Sequence, residues 1–243
     1  MSIDKRNRML VMKETGDIGF ILPARTSLPA QFATLRLVNS LLRLRFRIVW
    51  ASKYFVARSD VFSNGHTYEP GDYLVGLDSK SSDARKRDSL FVRRTAAQRG
   101  VLIHQVLEEI DPVGYGLYAP KIAVYKGTGT WDAYLWYTEC LRTMGFAHDC
   151  LSPSEISSGK LAEYDLYVQP GGDETWQAAA LWPRGREEIR KFLESGGRYL
   201  GSCGGLDIAG DANGTTPGSP NKGKVKFLNL VTYNSVRNKR RNT

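Results

Sequence analysis

From residue 120 onward, short apolar runs alternate with segments of helical spacing. Residues 121–125, 164–168 and 198–202 are short segments that contain aliphatic, β-branched and aromatic side chains, as strands do. Residues 132–144 and 187–193 place apolar side chains three and four positions apart, as amphipathic helices do. Strands that alternate with helices favour right-handed crossovers and a parallel sheet covered on both faces. The pattern therefore predicts an α/β fold.

The first half of the chain has weaker patterns of the same kind. Residues 18–22 and 46–50 are strand candidates, and residues 32–42 between them have helical spacing. Asn64-Gly65 and Pro70-Gly71 predict short strands joined by tight turns. We therefore predict a smaller α/β region that precedes the parallel sheet.

One segment of the first half leaves two interpretations open. Residues 79–94 are polar and charged, and form either a loop or the exposed start of a helix. Residues 91–110 fit that helix, although Gly100 weakens it, since glycine costs about 1 kcal/mol relative to alanine inside a helix.

A stretch rich in proline and glycine separates the two halves. Asp111-Pro112 is followed closely by Gly114 and Gly116, which is the composition of a linker. The predicted organisation is an N-terminal region over residues 1–112, a second domain over residues 118–235 and a basic tail over residues 236–243.

The composition is that of a globular protein. Hydrophobic residues make up 42% of the chain and charged residues 24%, which excludes wholesale disorder and collagen-like repeats. No run approaches the ~20 apolar residues of a membrane span, and the N-terminus lacks the apolar core of a secretory signal. The three cysteines form no CxxC pair, so we expect neither a disulfide scaffold nor a zinc ribbon. These features predict a cytoplasmic protein in which Cys140 and Cys150 are small buried side chains.

The net charge of +9 is unevenly placed. Residues 1–120 hold 18 basic and 12 acidic side chains, residues 121–210 hold 9 and 12, and residues 211–243 hold 7 and 1. A nucleic-acid reader concentrates positive charge on a folded surface, whereas here the best-patterned segment is mildly acidic. Nucleic-acid binding is therefore disfavoured, and the tail around residues 237–241 is interpreted as a solvated terminus that could touch an acidic partner.

The sharpest chemical signal is Gly201-Ser202-Cys203-Gly204-Gly205, which follows a predicted strand. In a nucleophile elbow, flanking glycines leave room for a sharp turn that lifts the central side chain above the sheet. Pro170-Gly171-Gly172 follows the preceding predicted strand, and sites form where parallel strands end. We therefore predict Cys203 as the catalytic candidate, with backbone N–H groups of Gly171, Gly172 and Gly204 as oxyanion donors.

Residues 121–210 resemble the class I glutamine amidotransferase-like fold, in the variant found at the N-terminus of eukaryotic biotin–protein ligases. The resemblance is carried by residues 122–129, which include Gly127 and Gly129, by residues 164–173 and by residues 197–205. It implies a flavodoxin-like sheet over residues ~120–235, a cysteine elbow and, in active relatives, a Cys–His–Glu triad that releases ammonia from glutamine.

The sequence departs from those active relatives at the triad. Their His and Glu follow the elbow, whereas His66, His104 and His148 all precede Cys203, and no Asp, Glu or His follows Asp211. A thiol without a base is only a few per cent ionised near neutral pH. The first hypothesis is therefore a degenerate or binding module for a small molecule, or for a partner protein or second copy that completes the sheet.

Two other hypotheses stay open. One is a Cys-dependent amidohydrolase or glutaminase, in which Cys203 attacks a carbonyl and the base comes from His148 or from a partner chain. The other is an interaction protein that acts through its basic ends, whose binding would weaken with salt.

The N-terminal half resembles, more loosely, an accessory segment that accompanies some zinc-dependent carboxypeptidase domains. Residues 20–23, the helix up to Leu44 and residues 68–73 carry this resemblance. His66 and Glu69 have the HxxE spacing of zinc ligands, but a third ligand is missing and turn signals flank the pair, so we interpret His66 as a polar turn residue. Because residues 127–132 also lack the third glycine of the dinucleotide fingerprint, we expect neither a metal nor a cofactor.

Aromatic side chains cluster near the predicted helix over residues 132–144. Trp131, Tyr134, Trp136 and Tyr137 lie within seven positions, and Tyr134 and Tyr137 share one face. We interpret the cluster as core packing in preference to ligand stacking.

Overall fold

The computed structural model describes residues 18–24, 27–77, 81–110 and 114–210. The described chain divides into two compact units. The N-terminal unit contains the described residues up to Ala119 together with Leu141–Ala147, and the C-terminal unit contains Pro120–Cys140 and the described residues from His148. The predicted basic tail over residues 236–243 lies outside the described residues.

The N-terminal unit is built on antiparallel strands. Its elements are β1 (Ile18–Leu22), α1 (Leu28–Arg43), β2 (Ile48–Ala51), β3 (Phe55–Ala57), β4 (His66–Tyr68), β5 (Tyr73–Gly76), α2 (Ser82–Arg99), β6 (His104–Gln105) and β7 (Gly114–Leu117). Five strands form a sheet in the order β6-β1-β5-β2-β7, and β3 pairs with β4. Each of these pairs is antiparallel.

The core of the N-terminal unit lies between this sheet and its helices. Phe20 and Ile48 of the sheet cluster with Leu37 and Leu41 of α1 and with Val92 of α2. Helix α2 begins where the Ser81 side chain accepts a hydrogen bond from the Ala84 N–H, as N-cap residues do. It ends at Gly100, whose φ of 63° is the left-handed C-cap conformation. The predicted helix over residues 91–110 is therefore placed too late, because Gly100 terminates the helix instead of interrupting it.

A buried polar cluster lies beside β4 and β6. His104 is 4% exposed, and its Nδ1 shares a 2.9 Å hydrogen bond with the Tyr68 hydroxyl. The same hydroxyl donates to Ser59 Oγ at 3.2 Å. Burial lowers the pKa of His104, and the charge of His66 lowers it further, while Asp60 and Asp72 oppose the effect. The folded state therefore favours the neutral imidazole.

We expect this burial to make stability depend on pH. Above the ordinary His pKa of 6.5, His104 is neutral in both states. Below it, the unfolded chain binds a proton that the folded chain resists, so the free energy of unfolding falls by up to about 1.4 kcal/mol per pH unit. Urea unfolding between about pH 7.5 and pH 5 should show a steeper fall for the wild type than for His104→Asn. The control His148→Asn, in the other unit, should keep the wild-type fall; equal slopes for wild type and His104→Asn would contradict the assignment.

The C-terminal unit contains a parallel sheet. Its elements are β8 (Ile122–Tyr125), α3 (Ala133–Thr143), β9 (His148–Leu151), α4 (Pro153–Ser157), a 3₁₀ turn (Lys160–Glu163), β10 (Leu166–Gln169), α5 (Glu174–Leu181), α6 (Arg184–Glu194), β11 (Arg198–Gly201) and α7 (Gly204–Asp207). The strand order is β11-β10-β8-β9, and all three pairings are parallel. This confirms the predicted α/β fold with a parallel sheet, in the flavodoxin-like order 2-1-3-4.

Both faces of the two central strands, β8 and β10, are buried. Tyr125 and Tyr167 are fully buried in one cluster with Leu181, Ile189 and other side chains of the helices. Because side chains alternate along a strand, Val124 and Val168 point to the opposite face, and both are also 0% exposed. The near-continuous apolar runs read from the sequence follow from this double coverage.

In the part of the chain that the structure describes, no helix combines the length and the apolar character that crossing a membrane requires.

Candidate functional site

Three loops of the C-terminal unit meet at one edge of the parallel sheet. They follow β8, β10 and β11, which are neighbours in the sheet and run in the same direction. The strand order reverses between β8 and β10, because the chain leaves β8 towards β9 on one side and returns to β10 on the other. In open α/β sheets, ligands bind at the carboxyl edge of such a switch point.

Cys203 occupies a strained turn at this edge. It lies between β11 and α7 with φ 51° and ψ −126°, in a region of positive φ that non-glycine residues seldom adopt. Its carbonyl accepts hydrogen bonds from Leu206 N at 2.8 Å and Asp207 N at 3.0 Å, which begin α7. The side chain is exposed. The backbone therefore has the sharp bend expected of an elbow, with the thiol open to solvent.

Glycines around Cys203 allow close approach of the backbone. A Cβ placed on Gly171 would lie 3.1 Å from Cys203 Cβ and 3.7 Å from its Sγ. A Cβ on Gly204 would lie 2.2 Å from the Gly172 carbonyl oxygen, and one on Gly205 would lie 2.0 Å from the Gln169 carbonyl oxygen. The structure thus brings Gly171, Gly172 and Gly204 together around Cys203.

The loop after β8 joins the same cluster through Gly172. The φ of Gly172 is +131°, and a Cβ there would lie 1.8 Å from the Gly129 carbonyl oxygen. The next N–H, of Asp173, donates to that same oxygen at 2.8 Å. Close backbone packing therefore fixes the loop after β8 against the loop after β10.

Gln177, a buried residue of α5, connects these loops by hydrogen bonds. Its side chain is 0% exposed, and Nε2 donates to the carbonyl oxygens of Gly129 at 3.3 Å, Pro170 at 3.2 Å and Gly171 at 3.1 Å. Its Oε1 accepts from Gln169 Nε2 at 2.7 Å. One buried amide therefore serves three carbonyl groups of two loops. The Gly129 oxygen also accepts from Asp173 N, so the carbonyls that depend most on Gln177 are those of Pro170 and Gly171.

Tyrosines extend this polar network. The Tyr167 hydroxyl donates to Gln169 Oε1, the Tyr199 hydroxyl to the Gly205 carbonyl, and the Tyr137 hydroxyl to Ser202 Oγ. Burial raises the pKa of Tyr167 and of Tyr199 well above the ordinary value, so these hydroxyls remain protonated donors. The Tyr199 hydroxyl thus holds the backbone after Cys203, and the Tyr137 hydroxyl holds the side chain of the residue before it.

Sequence reasoning missed Gln177 and these tyrosines as site residues. The available signal for Gln177 was its position four residues after Asp173, at the start of a helix that follows a glycine turn. Trp131 was assigned to core packing, as was Trp136. The structure contradicts that assignment for both, because Trp131 is 70% and Trp136 75% exposed. Trp131 lies two residues after Gly129 and has a φ of 43°.

The turn offers hydrogen-bond donors to a ligand. Gly204 is the first residue of α7, so its N–H has no acceptor within the helix. Among the residues that the structure describes, neither this N–H nor that of Gly172 donates to an acceptor. Two such donors next to a thiol are the elements that polarise a carbonyl group and hold a negatively charged oxygen.

The structure places His148 far from Cys203. It is the first residue of β9 and pairs with Ile122 at the amino-terminal edge of the sheet, so it lies about 10 Å along the strand from the carboxyl edge. β9 is also separated from β11 by β8 and β10, a lateral distance of about 14 Å. The proposed base at His148 is therefore out of hydrogen-bond reach of the Cys203 thiol. His66 and His104, the other histidines of the chain, belong to the N-terminal unit.

The expectation that Cys140 and Cys150 are buried is wrong. Both are exposed, as Cys203 is, and all three are free thiols. Cys140 lies on the open side of α3, and Cys150 lies in β9, whose sequence His-Asp-Cys-Leu is partly exposed. Any measurement of Cys203 reactivity must therefore separate it from these two thiols.

The HxxE pair lies in a hairpin of the N-terminal unit. His66 begins β4, and its ring stacks on Phe62 with 4.2 Å between ring centroids. In the described ranges, His, Cys, Asp and Glu side chains form no group of three or more that could hold a metal ion.

Comparison with known proteins agrees with the fold of the C-terminal unit. Residues 142–243 match the family of CobB/CobQ-like glutamine amidotransferase domains. This match supports a class I glutamine amidotransferase-like domain. It covers less than half of the chain, and the links to biotin–protein ligases and to zinc carboxypeptidase segments stay predictions.

Among solved structures, the chain is similar to a crystal structure described as a peptidase E protein from Listeria monocytogenes EGD-e. The two are 20% identical with a TM-score of 0.38, and the match covers 46% of this chain and 63% of that chain. The chain thus spans less than two thirds of the length of that protein. No curated protein matches the chain.

Proposed function

We propose that the C-terminal unit is a glutamine amidotransferase-like binding module that holds the carbonyl group of a small amide-bearing molecule against the Cys203 thiol. The observation that carries this proposal is the conformation of Cys203, whose exposed thiol stands at φ 51° with Gly171 packed against it. Such strain costs about 1–3 kcal/mol and persists where the surrounding structure enforces it. Here the glycine contacts and the Gln177 hydrogen bonds do so.

The arrangement supports binding better than turnover by this chain alone. Hydrolysis of an amide needs a base to ionise the thiol and an acid to protonate the departing nitrogen. His148, the histidine of this unit, lies at the opposite edge of the sheet. We therefore propose a degenerate site that orients a carbonyl group with the Gly172 and Gly204 N–H groups and reacts with strong electrophiles, but does not release ammonia by itself.

A Cys-dependent amidohydrolase or glutaminase is the second candidate. It is favoured by the strained, exposed position of Cys203, the geometry from which an elbow nucleophile attacks. Its base would come from a partner chain. A protein or second copy that pairs with the parallel sheet could supply such a group, and this stays a proposal.

Labelling and ammonia release test the two candidates together. In a Cys140→Ser/Cys150→Ser background, a diazoketone analogue of glutamine should form one adduct, and peptide mapping should place it on Cys203. The adduct should be absent in a Cys203→Ala variant. With glutamine as the substrate, the protein with Cys203 should release no more ammonia than the Cys203→Ala variant does.

Ammonia release that depends on Cys203 would contradict the binding-module hypothesis and support the amidohydrolase. The absence of any adduct near pH 8.5, where about half of an ordinary thiol is ionised, would contradict both candidates. A Cys203→Ser variant serves as the matched control, because it keeps the turn and a hydroxyl but lacks the thiolate.

A further inference from the structure

A groove of about 400 Å³ lies in the N-terminal unit, between the first half of α2 and one edge of the antiparallel sheet. Helix α2 contributes Arg85, Lys86 and Arg93, and the sheet contributes Gly19 of β1 and Gln105 of the edge strand β6. No Asp or Glu is among the described residues that line it. The volume is in the range of small-molecule sites, which are about 300–1,000 Å³.

Helix α2 carries more positive than negative charge. Over its 18 residues, it has six Arg or Lys and two Asp side chains. Three of the six cationic residues line the groove, while Arg87 and Arg94 do not. The groove therefore offers an anion several cationic groups from one helix.

Arg93 is held at the wall of the groove. Its guanidinium donates to Gln105 Oε1, lies 3.7 Å from Asp60 Oδ2, and stands over the Phe20 ring at 5.3 Å from the centroid. These contacts orient a planar group that has five N–H donors and whose fork matches phosphate oxygens. The orientation is thus fixed before a ligand arrives.

The rest of the lining combines hydroxyl and apolar groups. Ser82 and Ser89 contribute hydroxyls, and Leu77, Leu90 and Val106 contribute aliphatic surface. Leu90 is 49% exposed, although a leucine gains free energy from being covered. Ser82 is also the first residue of α2, where the helix dipole favours negative charge.

We propose that this groove binds a phosphate monoester of a small aromatic or aliphatic alcohol. Three cationic side chains, one of which (Arg93) also faces Asp60, and two hydroxyls suit a group that carries nearly two negative charges and three acceptor oxygens. The aliphatic side chains would cover the organic part of the ligand. A carboxylate, which has one charge and two oxygens, would use fewer of these donors.

Calorimetric titration of the full chain with phenyl phosphate tests the proposal. We expect saturable binding that weakens with added salt, and a loss of at least about tenfold in affinity for the Arg85→Gln/Lys86→Gln variant, which is about 1.4 kcal/mol. The matched control is Arg87→Gln/Arg94→Gln, which removes the same charge from exposed positions of the same helix. At an ionic strength of about 0.15 M, exposed charges more than about 8 Å apart are largely screened. The affinity of that variant for phenyl phosphate should therefore stay within about twofold of the wild-type value.

Two competing ligands complete the test. Inorganic phosphate should bind more weakly than phenyl phosphate because it leaves the aliphatic wall uncovered, and phenylacetate should bind at least about tenfold more weakly because it lacks the second charge. No saturable binding, an equal loss in both double variants, or binding of phenylacetate as tight as that of phenyl phosphate would overturn the proposal. Far-ultraviolet circular dichroism of each variant distinguishes lost binding from lost folding.

Discussion

Replacing Gln177 by leucine is expected to lower the free energy of unfolding of the C-terminal unit by about 3–5 kcal/mol. Leucine is close to glutamine in volume, so the variant leaves little cavity but removes four hydrogen bonds. Each buried polar group left unpaired costs about 1–3 kcal/mol. The Gly129 oxygen keeps its bond from Asp173 N, so the main losses fall on the carbonyls of Pro170 and Gly171 and on the Gln169 amide.

Urea unfolding measures this loss. The control is Gln98→Leu, the same substitution at an exposed position of α2, and it should change the free energy of unfolding by less than about 0.5 kcal/mol. Labelling of Cys203 in folded Gln177→Leu should slow as well, because Gly171 is no longer held against the thiol. A loss below about 1 kcal/mol would show that the Gln177 amide does not brace the two loops.

The second large effect is expected for Gly172→Ala. The new Cβ would lie 1.8 Å from the Gly129 carbonyl oxygen, an overlap with backbone that no rotamer change can relieve. The φ of +131° adds strain for a residue with a side chain. We expect a loss of more than about 4 kcal/mol, together with loss of the specific labelling at Cys203.

The Gly100→Ala variant separates the effect of the close contact from the effect of the positive φ. Gly100 also has positive φ, at +63°, but nothing lies within 4 Å of a Cβ built there. This control should therefore cost only the strain of a left-handed alanine, about 1–2 kcal/mol. If Gly172→Ala unfolds no more readily than Gly100→Ala, the close contact between the two loops is not formed in solution.

The two central strands of the parallel sheet could be predicted because they are buried on both faces. The runs at residues 121–125 and 164–168 are mostly apolar, as buried strands are, and β8 and β10 are buried at nearly every position. The segment 198–202 is less apolar, and β11 is partly exposed. β9 was not predicted, since His148, Asp149 and Cys150 make it polar and partly exposed at the sheet edge. β9 forms a strand through its backbone pairing with β8, although its side chains do not indicate one.

The turn at Cys203 could be anticipated from its glycines, whereas its surroundings could not. Gly204 and Gly205 indicate close backbone approach, and the structure shows which carbonyls approach them. The Gln177 side chain contacts Gly129, which lies 48 residues earlier in the chain, so no local pattern reveals the contact. The sequence does not show at which edge of the sheet His148 lies, and the strand register places it at the edge opposite Cys203.

In the N-terminal unit, capping residues define a helix that its composition does not reveal. The polar segment from Ser82 forms a full helix because Ser81 caps its start and Gly100 its end. Its apolar positions are too few to give a helical pattern, since only Val92, Thr95 and Ala96 are buried. Alternation of strands and helices also did not reveal that the sheet of this unit is antiparallel, because strand direction depends on the connections and not on the runs themselves.

The central claim is that the fold presents Cys203 as a distinct thiol, and competitive alkylation of the wild-type protein tests it most directly. All three cysteines are free and exposed, so each molecule contains its own controls. With the diazoketone analogue of glutamine, mass spectrometry of the peptides should show Cys203 modified at least about tenfold faster than Cys140 and Cys150, because only its neighbours can orient the carbonyl group. Equal rates at the three thiols would mean that the turn at Cys203 is not a binding site.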